Sequence, residues 1–291
     1  MGANLIASRR QCSPEEVKEA KRLYYKNIQV KNKREVNILL LDIETAPLRA
    51  YVWSRWKQNI FLDQSISEWF MLTWSAKWLN EEEVFSDKLT PHEVHREDDA
   101  RISKSLWKLL EEADIVIGHN SKRFDIPKIN SRFIINGLPP TSPYKQIDTM
   151  EVAKRQFGFS SNKLDNLAIQ FGFERKLSTG FELWKKCMEG DKASLAYMEE
   201  YNKYDVVLLE KVYLKLRPYI KGHPNLGVYY YDVEVPQCGH CGSASLILNN
   251  KYYTNVSEYT TYRCTECGAV SRTRVNINTK NKRKNLLTTI T

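Results

Sequence analysis

The stretch Val36-Asn37-Ile38-Leu39-Leu40-Leu41-Asp42-Ile43-Glu44 decides how the rest of the chain is read. Ile38 to Leu41 is a short apolar run, too brief for a helix of its own and suited to a strand buried in a sheet. Asp42 and Glu44 leave it two residues apart, so on a strand both carboxylates project from one face. Two such groups repel each other unless a cation lies between them. Hard oxygen donors of this kind suit Mg²⁺ or Mn²⁺.

Upstream, Ser13-Pro14-Glu15-Glu16 has the form of a capping box with proline at the first helical position. It predicts a helix from about Pro14 to Ile28, one stripe apolar (Val17, Ala20, Leu23, Tyr24) and the other face basic. Downstream, Thr45-Ala46-Pro47 breaks the strand. Residues 48–68 then carry Tyr51, Trp53, Trp56 and Phe61 with Arg55 and Lys57 among them. Such a mixture can stack and clamp single-stranded bases. The alternative, and the preferred expectation, is a loop packed on the core by its tryptophans.

Trp69–Leu79 and Glu83–Leu89 read as a hairpin around Asn80-Glu81-Glu82. Asp98 to Glu112 reads as a helix with Ile102, Leu106, Leu109 and Leu110 apolar, and Ile115-Val116-Ile117 as another buried strand. Three strands, a helix and a strand imply an α/β protein, a mixed sheet with helices on its faces. The strand at 115–117 runs into Gly118-His119-Asn120-Ser121-Lys122-Arg123-Phe124-Asp125, at the strand end where open α/β sheets gather ligands. Asp125 opens a helix closed by Gly137. An aspartate there is often only a cap. Ile147-Asp148-Thr149 suggests a short strand entering a helix through Phe157, and Lys163–Phe171 another helix. Asp148 and Asp165 read as caps or surface residues, outside the site. Asp191 caps a long helix from about Ala193 to Leu216, stopped by Pro218. Within it, Tyr201 and Asp205 are four apart and share a face. A buried polar pair there requires partners, which a metal and its water would supply.

Asp42-Ile43-Glu44, Asn120 to Phe124-Asp125, and Tyr201 to Asp205 follow in this order with gaps of 83 and 80 residues. They resemble the three motifs of the tyrosine-bearing branch of the DEDD exonuclease superfamily. Over about residues 36–217 the chain is similar to the proofreading exonuclease domain of family B DNA polymerases, and the expectation is a stand-alone nuclease. The resemblance implies a ribonuclease-H-like fold and a metal-dependent 3′→5′ exonuclease that removes nucleotides singly from a DNA 3′ end, most simply a single strand. It implies two Mg²⁺ or Mn²⁺ ions, which activate water and offset charge on the attacking and leaving oxygens. On that pattern Asp42 bridges the ions, Asp205 completes the ion that activates water, Glu44 helps hold that water or its metal, and Asp125 supports the second ion. Tyr201 orients the attacking water. Asn120 and Phe124 match the motif without being ligands, Phe124 packing under the site or against a terminal base. Lys122 and Arg123 touch phosphate or lie on a solvated loop. His119 is not expected to act as acid or base, because this branch uses tyrosine.

At the C-terminus, Cys238-Gly239-His240-Cys241 and Cys264-Thr265-Glu266-Cys267 are two C-x₂-C knuckles, each followed by glycine (Gly242, Gly268). Four thiolates at this spacing form a closed tetrahedral Zn²⁺ site, structural rather than catalytic; disulfides are the alternative. The knuckles resemble zinc ribbons, with Leu246–Leu248 and Lys251–Tyr253 as ribbon strands and His240 outside the ligand set. Cys12 and Cys187 read as ordinary thiols. Lys251, Arg263, Arg272, Arg274 and Lys280–Lys284 make the ribbon basic, for gripping nucleic acid or for docking a replication or repair protein.

The net charge is +9, and its placement is informative. Residues 1–35 carry 9 Lys+Arg against 4 Asp+Glu, residues 223–291 carry 8 against 4, and residues 36–222 carry 27 of each. The excess serves solubility or holds a polyanion. The expected division is a basic helical extension over 1–35, the exonuclease domain over 36–222 and the zinc ribbon with its tail over 223–291. No apolar run approaches 18 residues and no signal region opens the chain, so the expected compartment is the cytoplasm, with no membrane partner. The alternatives to a DNA exonuclease are an exoribonuclease, a structure-specific nuclease, and a non-catalytic nucleic-acid-binding module on the same fold.

Overall fold

Ile38–Leu41 is buried from end to end. In the computed structural model it forms the first half of β1 (Ile38–Thr45), the middle strand of a five-stranded sheet. The structure describes Ser13 and residues 36–175, 179–230 and 233–290. The helix expected over 14–28 and Cys12 lie outside the described residues. One compact unit is Asn37–Leu216, and the residues from Arg217 onward belong to a second.

In the first unit β1 is followed by a two-stranded ribbon, β2 (Arg49–Ala50) and β3 (Ser65–Ser67), then by β4 (Met71–Trp78) and β5 (Phe85–Lys88). A short helix α1 (Pro91–His95) precedes α2 (Ala100–Glu112) and β6 (Ile115–Gly118). Next come α3 (Asp125–Ile135), β7 (Lys145–Asp148), α4 (Thr149–Gln156) and α5 (Leu164–Gln170). The unit closes with α6 (Phe181–Met188) and the long α7 (Lys192–Leu216). The sheet order is β5-β4-β1-β6-β7. β5, β4 and β1 pair antiparallel, while β1, β6 and β7 pair parallel. This is the mixed sheet between helices that the order of elements implied, an α/β fold of ribonuclease-H-like type.

Alternation along β1 assigns its side chains to two layers. Leu39, Leu41 and Ile43 join a core with Ile102, Leu106 and Leu110 of α2 and Ile126, Ile129 and Phe133 of α3. The opposite face, bearing Asp42 and Glu44, is covered by α7, which packs on β1 and β4. A nearly buried pair ties that helix down: Lys77 on β4 meets Glu210 at 2.5 Å. The helix expected to begin at Asp98 begins at Ala100, because Asp99 is drawn inward instead of capping. Its carboxylate accepts from Met71 N at 2.8 Å and from Arg132 Nε and Nη2 at 2.6 and 2.8 Å. This bidentate pair fixes α3, and with it Asp125, against α2.

Residues 48–68 depart from expectation. Trp53 and Trp56 are 94% and 82% exposed, so the loop is not packed on the core by its tryptophans. It is an arm carried on the β2–β3 ribbon, and its tip is held by its own polar groups: Trp56 O accepts from Ser54 Oγ and Gln58 Nε2.

In the second unit β8 (Leu246–Tyr253), β9 (Glu258–Cys264) and β10 (Val270–Arg272) form an antiparallel sheet ordered β10-β9-β8, and α8 (Lys280–Asn285) follows. The runs expected as two strands, Leu246–Leu248 and Lys251–Tyr253, are one strand interrupted by a register shift. Gly242 and Gly268 have φ of +71° and +77°, the left-handed turn that each knuckle requires. No helix among the described residues is long and apolar enough to cross a membrane.

Candidate active site

Three carboxylates converge where the layers meet. Asp42 and Glu44 project from one face of β1, and Asp205 comes from α7; one oxygen from each lies within 4.8 Å of the others. Asp205 is buried. Two spans of backbone, more than 160 positions apart, thus bring like charges together at a half-buried site. Such crowding is costly without a cation.

The surroundings fit a divalent ion. The donor set is all oxygen, as Mg²⁺ and Mn²⁺ require. Asn202, fully buried on α7, donates from Nδ2 to Asp42 Oδ2 at 2.6 Å, and its Oδ1 has no hydrogen-bond partner among the described residues. Ser75 stands opposite Asp42 in the β1–β4 register, and its buried Oγ is likewise without a hydrogen-bond partner among those residues. These orphaned oxygens beside Asp42 leave acceptor capacity for hydrated ions.

Asp125 is next to the trio but outside it. It sits at the first position of α3 and its Oδ1 accepts from Ile43 N, between Asp42 and Glu44, at 3.2 Å. Burial pushes its carboxyl up to about 7; the Ile43 amide opposes this and the negative charge of Asp148 adds to it. Asp125 is therefore more than a helix-start aspartate: its bond reaches across 82 positions to the central strand. Asp148 is the N-cap of α4, as read, but it is buried rather than at the surface. It also accepts from Asn120 N at 2.9 Å and Lys122 N at 3.2 Å, holding the loop before Asp125 in place. Asn120 adopts φ +65° in that loop. Asp165 is at the surface, facing Arg175 at 3.4 Å.

Tyr201 is buried one turn before Asp205, its ring edge-on to Trp184 with centroids 6.4 Å apart. His119 bonds through both ring nitrogens, to Thr149 Oγ1 and to Asn162 O, which leaves it a structural part. Lys122 and Arg123 are exposed, and Lys122 pairs with Glu151 at 2.7 Å. Phe124 is partly exposed and sits 5.1 Å from Lys128 Nζ.

Beside the acids opens a cleft of about 470 Å³ lined by Thr45, Leu48, Trp69, Lys128, Phe181 and Trp184 among others. Lys128 Nζ lies 3.7 Å from the centre of the Trp69 ring. A larger hollow, about 640 Å³, lies between the end of α3 and Leu138–Tyr144, and Asp42, Glu44 and Asp205 are not among its lining residues. Sequence reasoning missed Asn202, Lys128, Trp69 and Trp184. Asn202 was within reach, being three residues before Asp205 and so on its face of the helix.

In the second unit the four knuckle cysteines form a second cluster. Their sulfurs also lie within 4.8 Å of one another, all as free thiols, with Cys238–Cys267 at 3.5 Å and Cys241–Cys264 at 3.6 Å. Four convergent thiols without a disulfide are consistent with a zinc ribbon. His240 stays outside the set, bonding to Ile220 O at 3.1 Å and stacking on His223. The basic charge is partly offset there, because Glu258 pairs with both Lys251 and Lys282. Cys187 is fully buried, which raises its thiol to about 12 and makes it inert.

A family model described as the RNase_H superfamily matches residues 69–217. That span contains Asp125, Tyr201 and Asp205 and begins after Asp42 and Glu44. No curated protein matches the chain. Among solved structures, it is similar to the family B DNA polymerase from the hyperthermophilic archaeon Pyrobaculum calidifontis, at 17% identity and a TM-score of 0.48. The similarity covers 64% of this chain and 25% of the polymerase, so the chain spans about a quarter of that protein.

Proposed function

The chain belongs to the RNase_H superfamily, and from that premise we propose that it is a metal-dependent 3′→5′ exonuclease acting on DNA, preferentially on single strands. The observation that carries this reading is the meeting of Asp42, Glu44 and Asp205 oxygens within 4.8 Å. A nuclease-type function suits the superfamily; the direction of attack and the choice of DNA are our inference from the motif order.

Asp42, Glu44 and Asp205 hold two divalent ions, Mg²⁺ or Mn²⁺, with Asp125 supporting one of them from its place against Ile43 N. Such ions, when bound, make water nucleophilic near neutral pH and offset charge on the attacking and leaving oxygens. Asn202 fixes the rotamer of Asp42. The Tyr201 hydroxyl orients the attacking water. Trp69, Trp184 and Phe181 enclose the terminal nucleoside, and Lys128, Lys122 and Arg123 supply positive charge near its phosphates, with Asn120 and Phe124 shaping the approach. The division into an extension over 1–35, a nuclease domain over 36–222 and a zinc ribbon over 223–291 belongs to the same proposal. The ribbon carries one structural Zn²⁺ on Cys238, Cys241, Cys264 and Cys267, and its task is to hold nucleic acid beside the nuclease.

A 5′-labelled single-stranded oligonucleotide incubated with Mg²⁺ or with EDTA tests the reading. A ladder that shortens stepwise from the 3′ end with Mg²⁺ alone supports it. Internal cuts at one position, or no cleavage under either condition, would contradict it. An RNA oligonucleotide of the same sequence decides between the two substrates.

A further inference from the structure

The arm between β2 and β3 gathers several of the exposed large apolar side chains among the described residues. Tyr51, Trp53, Trp56, Phe61 and Leu62 are each more than two-thirds exposed. Within residues 51–62 the charged side chains are Arg55 and Lys57, with no acid among them. The tip is shaped from within: Trp56 O accepts from Ser54 Oγ and Gln58 Nε2, and Lys57 turns the chain with φ +53°. Tyr51 N bonds to Gln64 O at 2.9 Å, and Arg49 pairs with Glu97, fixing the base. The arm is rooted at the acids. It leaves β1 directly after Glu44 and Thr45 and returns through Trp69 to Met71, which pairs with Thr45. Leu48 and Trp69, at its two ends, are walls of the cleft beside the carboxylates.

We propose that this arm is a stacking platform for single-stranded nucleic acid, gripping the substrate strand outside the cleft. Its features meet the two requirements of a binder without sequence preference. Every base has a π face that an exposed indole or phenol can stack on, and the backbone phosphates need nearby cations. Arg55 and Lys57 sit on either side of Trp56, and the one acid of the arm, Asp63, stands at its base beside β3. An indole held in water on a self-bonded loop gains nothing for the fold, so its placement is explained by an occupant. The occupant of stated chemistry is the strand that enters the adjacent cleft, and this inference rests on the reading of the chain as a nuclease.

The test is the affinity of the 291-residue chain for fluorescein-labelled oligothymidylate of about 16 nucleotides, measured in EDTA so that no cleavage intervenes. Trp53→Ala/Trp56→Ala is compared with the wild type and with Arg55→Gln/Lys57→Gln. The exposed positions keep the fold intact, which thermal melting checks. The tryptophan variant is expected to lose about tenfold or more in affinity. The cation variant is expected to flatten the dependence of log affinity on log salt by about 1.4. Affinity unchanged within about twofold in the tryptophan variant overturns the proposal. So does unchanged affinity accompanied by loss of a wild-type dimer in sedimentation, or by loss of binding to phosphatidylglycerol vesicles, each of which gives the arm a different occupant. The nuclease reading fails separately, when the wild type releases no nucleotide in Mg²⁺ whatever its affinity for the oligonucleotide.

Discussion

Asn202 donates to Asp42 at 2.6 Å across 160 positions of the chain, so the long helix α7 sets the rotamer of the central carboxylate on β1. Asn202 is fully buried and Asp42 half-buried, and a partner that orients a ligand is usually worth about 10- to 100-fold in metal affinity or activity. Asn202→Ala is expected to weaken Mn²⁺ binding by about that factor while the fold is retained. Titration of Mn²⁺ into the two proteins measures it, and equal affinities would assign Asn202 a packing role alone.

Tyr201 is buried beside Trp184 one turn before Asp205, within the layer that carries the acids. Removing only its hydroxyl leaves that packing in place. Tyr201→Phe is expected to lower kcat by about 10²-fold or more with oligonucleotide affinity unchanged. Full activity in the variant would remove the hydroxyl from the mechanism.

Asp125 makes the metal-free protein sensitive to pH. Its carboxyl ordinarily titrates at 3.8 and is raised by burial to about 7 in the fold. Below about pH 4 it is protonated in both states. Between there and about pH 7 the folded protein keeps a proton that the unfolded chain has released, so this group's contribution to stability falls as pH rises through that window. Denaturant midpoints in EDTA are expected to decline across it, and less so in Asp125→Asn. A variant that reproduces the wild-type slope would contradict the assignment.

The cysteine cluster bears on the second unit. A small ribbon cannot rest on its own core, and a bound metal would supply most of its folding free energy. Cys238→Ser/Cys241→Ser, or a strong chelator, is expected to unfold the ribbon while the transition of the Asn37–Leu216 unit persists. Loss of oligonucleotide affinity with a flatter salt dependence is expected to accompany it. Unchanged ribbon hydrogen exchange after chelation would show that metal does not hold it together.

Local signals carried much of this. The apolar run before Asp42, the two-residue spacing to Glu44 and the four-residue spacing of Tyr201 and Asp205 are each visible in a few residues, and so are the knuckles. What escaped depends on partners far along the chain. Asp99 looks like a helix start but is taken by Arg132, 33 positions on. Asp125 looks like a cap but binds Ile43 N. Helix α6 has only Gly180 at its start and no capping side chain, so it left no start signal, and Trp184 was lost with it. Whether Trp53 and Trp56 pack or project is decided by what surrounds them, which composition does not encode.

The central claim is that carboxylates from β1 and α7 share divalent ions. Anomalous difference density from a crystal soaked in Mn²⁺ tests it most directly. Peaks coordinated by Asp42, Glu44 and Asp205, with Asp125 at or near one of them, are predicted. Density free of any peak within coordination distance of Asp42 would contradict the account.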